Sequence, residues 1–338
     1  MKIIAGPCSI ESRQQLAAVV EALAADPRVQ MIRGGVWKPR TRPGGFEGLG
    51  EPALRWMAEL KSKHTFKFCC EVALPEHVEL CLQYGVDAVW LGARTTANPF
   101  QVQELCAALQ GTAMPVMVKN APVPDLGLWL GAIERCSQAT TGDVSAVHRG
   151  FNLYNNLGYR NHPLWEVPLE LRRYMPQTEL ICDPSHIAGR RDIVAQTAQM
   201  ALDLGFDGLM VETHPNPDAA LTDAAQQLTP DGFAAMTASL VPRRTGSQRA
   251  NAALADCRSQ IDDIDHQLLQ LLARRMDTSR RIAAIKRPLG MALYQPERWQ
   301  ALMADRKALA AELGLEQDFV SRLLETIHAE SVRVQQEG

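Results

Sequence analysis

A cysteine, a histidine and two carboxylates recur in this chain where a metal could collect them. Cys8 lies in GPCS (6–9), His186 in CDPSH (182–186), and Glu212 and Asp223 open and close a run that begins ETHP. Each falls at the end of an apolar run or in the segment just after one. Taken singly, each has an ordinary reading: a buried thiol, a capping Asp, a solvated Glu. Together, sulfur, imidazole and two carboxylates form a mixed donor set suited to a divalent first-row metal. Manganese is the expected ion, with cobalt, iron and zinc as the other choices.

Cations follow the same rule. Arg33, Lys38, Arg40, Arg94, Lys119 and Arg149 also sit at the ends of apolar runs or just beyond them. Lys and Arg in so many such places are costly unless anions neutralise them. A rim of surface salt bridges is one reading. The other is a site for two phosphate-bearing substrates, with a carboxylate beside them.

The elements that must position these residues show as an alternation. Apolar runs occupy 2–5, 29–35, 66–72, 88–93, 115–120, 144–150, 179–186 and 208–214. Amphipathic stretches such as QQLAAVVEALAA, EHVELCLQYG and DIVAQTAQMALDLG lie between them. Regular strand–helix alternation implies right-handed βαβ units and a parallel sheet. Eight units in about 240 residues fit a closed (β/α)8 TIM barrel, with an open doubly wound sheet as the runner-up. A barrel keeps its active site at the C-terminal ends of its strands, where these candidates lie. The first run begins at Lys2, so no room for an N-terminal sensor domain is expected, and regulation should come from elsewhere in the chain.

The pattern changes at PRRTGSQRAN, where Pro, Gly, Ser and Arg without periodicity suggest a linker. The expected division is a barrel at 1–241, a linker at 242–251 and an all-helical domain at 252–338. In the last, Leu254, Ile261 and Leu268, with Ile264, Leu271 and Leu272, repeat at helical spacing. The first helix should run to Lys286, the second start near Pro296 and the third span about 316–336. Three helices in so short a segment bury a poor core alone, so a homodimer through this domain is expected. Arg275 and Lys286 share a helix face, whereas Arg258 points away from it, toward a site a partner subunit would own. Ser331 and Gln335 form an i,i+4 pair.

The bulk numbers narrow the function class. The chain has 338 residues, 46% of them hydrophobic and 22% charged, an ordinary globular composition. A net charge of −3 advertises no nucleic-acid surface. No stretch approaches the roughly 20 apolar residues of a membrane span. The eight cysteines have no regular framework, which suits reduced thiols in the cytoplasm.

At GPCSIES, RGGVWKPRTRP, GAR, HRG, DPSHIAGRRD and VETHPNPDAALTD, residues 1–240 resemble the 3-deoxy-D-arabino-heptulosonate 7-phosphate (DAHP) synthase family. The subtype is the shorter one related to 3-deoxy-octulosonate 8-phosphate synthase. The resemblance implies a metal on Cys8, His186, Glu212 and Asp223 that acts on the aldehyde of erythrose 4-phosphate as a Lewis acid. It implies that Arg33, Lys38, Arg94, Lys119, Arg149 and His186 surround phosphoenolpyruvate, and that Arg40 and Thr41 hold the aldose phosphate. The intact KPRT favours erythrose 4-phosphate over arabinose 5-phosphate, the octulosonate enzymes' substrate. Asn120 follows Lys119 where many short synthases have Arg. Glu71, His214 and Lys38 are the candidates for proton transfer.

LADCRSQIDDIDHQLLQLLARR, AAIK, PERWQ and ESVRVQQ, spread over roughly 251–337, resemble the all-helical chorismate mutases. The resemblance implies that Arg258 of a partner subunit, Arg275 and Arg298 clamp chorismate, and that Lys286 and Gln335 bond its ether oxygen, with Ser331 also at the substrate. The sequence departs from the pattern at Gln295, where Asp is frequent, and at Trp299, where a Glu is common. The expected protein is therefore bifunctional, with prephenate as product and feedback effector. The alternatives are a synthase with a non-catalytic, effector-sensing helical domain, and an octulosonate synthase.

Overall fold

The computed structural model describes residues 1–24, 26–38, 44–64, 66–154, 158–243 and 252–337. The chain divides into two compact units, Met1–Thr245 and Gly246–Gly338.

The first unit is built on eight strands: β1 Lys2–Gly6, β2 Val29–Arg33, β3 Lys67–Val72, β4 Ala88–Leu91, β5 Val116–Lys119, β6 Val144–His148, β7 Glu179–Cys182 and β8 Gly208–Glu212. They close into a barrel in chain order, every neighbouring pair parallel. The expected closed barrel is therefore the fold, and the open sheet is excluded. Strands such as Ala88–Leu91 and Val116–Lys119 are buried at every residue, because a parallel barrel strand is covered on both faces.

Helices α1 Arg13–Ala24, α2 Glu51–Lys61, α3 Pro75–Gln83, α4 Ala93–Thr96, α5 Pro99–Leu109, α6 Leu126–Ala139, α7 Glu166–Tyr174, α8 Pro184–Ala188, α9 Val194–Asp203 and α10 Pro230–Ser239 complete this unit. Their sequences explain their limits. In α1, Leu16, Val19, Val20 and Leu23 recur three or four residues apart and form its buried stripe. Asn98, Asp125, Asp183 and Thr229 each cap a helix start through a side-chain oxygen.

Register positions the site. On β1 and β8, Gly6 pairs with Glu212, which sets Cys8 just beyond the carboxylate. On β6 and β7, His148 pairs with Cys182, so Arg149 and Asp183 leave the barrel at one level.

The second unit comprises α11 Ala252–Lys286, α12 Pro296–Glu312 and α13 Gln317–Glu337. Of the expected linker, residues 244–251 lie outside the described residues. At 1.5 Å per residue, the 35 residues of α11 span roughly 52 Å, against roughly 32 Å for the 21 of α13. The C-terminal half of α11 meets α13, where Arg287 donates to the Gln335 carbonyl. Further toward the N-terminus, Ile261, Ile264, Leu268, Leu269 and Leu271 are all more than half exposed. Among the described residues, no helix is long and apolar enough to cross a membrane.

Candidate active sites

The C-terminal mouth of the barrel opens into a cavity of about 900 Å³. Cys8, Lys38, Glu71, Arg94, Lys119, Arg149, His186 and Asp223 line it. Arg40 and Thr41 lie outside the described residues; Gly45 and Phe46 line the cavity.

The donor atoms of Cys8, Glu212 and Asp223 lie within 4.8 Å of one another. His186 Nε2 is 3.7 Å from both Glu212 Oε1 and Asp223 Oδ2, and Cys8 Sγ is 3.4 Å from Asp223 Oδ2. Glu212 is fully buried, yet its Oε1 has no aligned hydrogen bond. Arg33 Nη2 lies 3.1 Å from it without hydrogen-bond alignment, so this buried oxygen keeps a lone pair for a further partner. A thiol, an imidazole and two carboxylate oxygens converging there fit a divalent first-row cation.

Protonation follows from burial and neighbours. Burial, with Glu212 second, pushes the Cys8 thiol up to about 12. Burial pushes the His186 pKa below its ordinary value, against Asp183 and Glu212, which raise it, and so favours the neutral imidazole that binds metals. Burial opposes ionisation of Glu212, but His186 and Arg33 outweigh it and its pKa falls.

Two of the cations are used in pairs. Arg33, buried, points Nη2 at Glu212 Oε1 at 3.1 Å and stands over the Trp90 ring. Lys119 Nζ bonds Asp183 Oδ2 at 2.7 Å. Asp183 Oδ2 also lies 2.7 Å from His186 Nδ1, without an aligned hydrogen bond, while its Oδ1 caps α8 at the His186 amide. One carboxylate thus orients the imidazole and neutralises a lysine. Arg149 is held by Asn161 Oδ1 at 2.7 Å, and its backbone amide donates to Asn120 Oδ1. Burial lowers the Arg149 pKa to about 10, still cationic at neutral pH.

Of the proton-transfer candidates, Glu71 and Lys38 line the cavity, whereas His214 Nε2 faces Glu11 Oε2 at 3.5 Å. Gly92 makes room for Glu71: a Cβ there would stand 2.1 Å from Glu71 Oε1.

Sequence reasoning missed several residues. Asp183 was visible inside CDPSH but carried no assigned role. Arg160, Gln226 and Gln227 were not singled out, and all three make contacts at the donor set. Gln227 Oε1 accepts the Cys8 amide, and Arg160 reaches Asp223 Oδ1 at 3.0 Å. Arg160 follows β6 by a dozen residues, so no strand-end rule selects it.

In the helical unit, Arg275 Nη1 bonds Ser331 Oγ and the Ile327 carbonyl. Gln335 Nε2 bonds the Ser331 carbonyl at 2.9 Å, and its buried Oε1 has no partner. Lys286 Nζ bonds the Leu293 carbonyl at 2.7 Å. Arg258 and Arg298 are exposed. Trp299 stacks on His328 with ring centroids 4.1 Å apart, which gives it a packing role. The helical unit thus brings together Arg275, Ser331 and Gln335.

A parallel barrel with a metal-type donor set and a ring of cations at its mouth defines a class of enzymes that work on phosphorylated substrates. The chain belongs to the DAHP synthetase I family, whose model matches residues 1–243, and residues 257–336 match the model of chorismate mutase type II. DAHP synthase and chorismate mutase domains are therefore both present. The phospho-2-dehydro-3-deoxyheptonate aldolase of Thermotoga maritima is 30% identical over 227 residues, covering 67% of this chain and 64% of that protein. The crystal structure of that organism's DAHP synthase superposes with a TM-score of 0.62 at 28% identity, covering 70% of this chain and 67% of that one. The T-protein of Haemophilus influenzae is 34% identical over 79 residues, which are 23% of this chain and 21% of that protein. The chain thus spans less than two thirds of the length of the first relative and about a fifth of the second.

Proposed function

We propose that the barrel condenses phosphoenolpyruvate with erythrose 4-phosphate to give DAHP and phosphate, and that the helical unit rearranges chorismate to prephenate. One observation carries the first half: a thiol, an imidazole and two carboxylates meet in the same cavity as Lys38, Arg94, Lys119 and Arg149.

Cys8, His186, Glu212 and Asp223 would hold the metal, manganese first among the first-row ions. When bound, it supplies Lewis-acid polarisation of the aldehyde. The protein's own residues do the rest. Lys38, Arg94 and Arg149 position two anions that repel each other in water. Arg33 and Lys119, held in place by Glu212 and Asp183, would offer their remaining N–H donors to phosphoenolpyruvate. Glu71 and Lys38, which line the cavity, would exchange the proton with substrate. C3 of phosphoenolpyruvate attacks the aldehyde carbon, water adds at C2, and the hemiketal expels phosphate.

For the mutase, Arg275 and Arg298 with Arg258 from a partner subunit would clamp the two carboxylates of chorismate. Lys286 and Gln335 would stabilise charge on the ether oxygen, and Ser331 would bind beside them. The reaction needs only a held conformer and that stabilisation. The exposed apolar face of α11 supports a second copy of the chain as its cover, and the exposure of Arg258 is consistent with a shared site.

Phosphate release, with erythrose 4-phosphate and arabinose 5-phosphate offered separately and with or without chelator, tests the barrel. Release with the four-carbon aldose only, abolished by chelator and restored by Mn²⁺, is expected. Preference for the pentose phosphate would replace this reading with octulosonate synthesis. Disappearance of chorismate absorbance tests the helical unit. Bound chorismate without turnover would leave it a sensor.

A further inference from the structure

We propose that Arg160 is a positioning residue that decides which oxygen of each metal-site carboxylate faces the metal. This rests on the metal reading of the barrel site given above.

Arg160 is braced against the helix that carries His186. Its amide donates to the carbonyls of Ile187 and Ala188 at 3.1 and 3.3 Å. Its Cβ packs where Gly189, at φ +70°, has none; a Cβ on Gly189 would approach it to 2.2 Å. The guanidinium is thereby directed into the cavity.

One terminal nitrogen then makes two bonds. Arg160 Nη1 lies 3.0 Å from Asp223 Oδ1 and 2.6 Å from Gln226 Oε1. An Nη carries two hydrogens, so both bonds are made at once. On Asp223, Oδ1 is taken and Oδ2 remains, 3.4 Å from Cys8 Sγ and 3.7 Å from His186 Nε2. On Gln226, a carbonyl oxygen engaged by a donor fixes which way the amide lies. Its Nε2 must then donate to Glu212 Oε2, at 2.7 Å. Glu212 Oε1 is left buried, with Arg33 Nη2 at 3.1 Å but no aligned hydrogen bond, and keeps a lone pair for the metal. A single cation therefore presents one oxygen from each carboxylate to the same point. Asp223 needs such a tether, because its backbone sits at φ +48°, a conformation non-glycine residues adopt at a cost.

Charge and position predict opposite outcomes when Arg160 is removed. A guanidinium beside a cation site repels the cation, so a purely electrostatic role means tighter metal binding without it. A positioning role means weaker binding, because both carboxylates turn and the donor geometry is lost. It also means altered coordination, since either carboxylate becomes free to offer two oxygens.

The test is Co²⁺ titration of the full-length protein, followed by dissociation constant and visible absorption. Arg160→Gln is expected to weaken Co²⁺ binding about 10- to 100-fold and to lower the d–d intensity per ion as the coordination number rises. Gln226→Leu, which frees only the Glu212 arm, should shift the spectrum in the same direction, and Arg160→Lys should recover part of the affinity. Arg160→Gln binding Co²⁺ as tightly as the parent or tighter, with an unchanged spectrum, would overturn the proposal. A parent protein that shows no Cys8-dependent charge-transfer band would overturn the metal reading itself, and the inference with it.

Discussion

Asp183 is the residue on which the barrel site turns. It is fully buried, bonds Lys119, faces Arg33 at 3.9 Å and caps the helix that carries His186. Asp183→Asn keeps the shape and a capping oxygen but removes the charge, leaving buried Lys119 short of its counter-ion. Breaking one side of a buried pair costs ~3–5 kcal/mol. Urea unfolding of the barrel should show that loss, and metal affinity should fall with it as His186 loses its orienting carboxylate. An unchanged midpoint would mean that Glu212 alone balances the cations.

His148 sets an acid limit of a different kind. Its ring is fully buried among Trp129, Phe151, Trp165 and Phe206, and neither nitrogen has an aligned hydrogen bond. Burial lowers its pKa to about 3, against the opposing pull of the Pro163 carbonyl. A depressed histidine favours the folded state above the unfolded value of about 6.5, and that contribution is lost as pH falls toward the folded value. Between pH 7 and pH 5 the loss should be ~2 kcal/mol. His148→Phe, which fills the same aromatic cage and cannot protonate, should flatten that limb of the stability profile. Parallel acid limbs in the two proteins would assign the loss to other groups.

At the scale of elements, legibility depended on whether a residue acts where its own segment puts it. The strands read as apolar runs because a parallel barrel buries both faces of each strand. Arg33, Lys119 and Glu212 read as site residues because each is the last residue of its strand. Asp183 and Arg160 did not, because their roles depend on contacts made far along the chain: Asp183 with Lys119 and Arg160 with Gln226, 64 and 66 residues away. Such contacts leave no periodic signal. The aldose-phosphate role of Arg40 and Thr41, which lie outside the described residues, rests on resemblance. In the helical unit, α11 was legible in type and end, and Ile261, Ile264 and Leu268 of its N-terminal half are more than half exposed. We expect Leu268→Asp and Ile264→Asp to abolish dimer formation in sedimentation equilibrium, and to abolish mutase turnover with it if Arg258 serves a partner's site. Mixing Arg258→Ala with Lys286→Ala protein should restore part of the turnover in heterodimers. Failure after verified subunit exchange would make each site self-contained.

At the scale of the whole molecule, one chain carries a DAHP synthase domain and a chorismate mutase domain. We propose that a ligand of the second acts as a signal to the first. Arg275 is a candidate to receive a dicarboxylate: Ser331 and the Ile327 carbonyl hold its guanidinium against α13, and burial disfavours its charge until an anion pairs with it. A ligand shifts a conformational balance only by the difference between its affinities for the two states. About 1–3 kcal/mol of coupling is a 5- to 150-fold change in affinity, enough for clear inhibition. Prephenate titrated into the synthase assay should inhibit the full-length protein and leave Arg275→Ala largely untouched, with the Michaelis constants of both synthase substrates unchanged in the variant when prephenate is absent. Equal inhibition of the two proteins would place the effector at the barrel mouth, where its carboxylates compete with phosphoenolpyruvate. Inhibition of neither would leave the helical unit a second enzyme without regulatory reach. Coupling is also reciprocal for binding. If prephenate weakens phosphoenolpyruvate, then phosphoenolpyruvate must weaken prephenate by the same factor, and calorimetric titration of prephenate at increasing phosphoenolpyruvate measures that factor without any turnover.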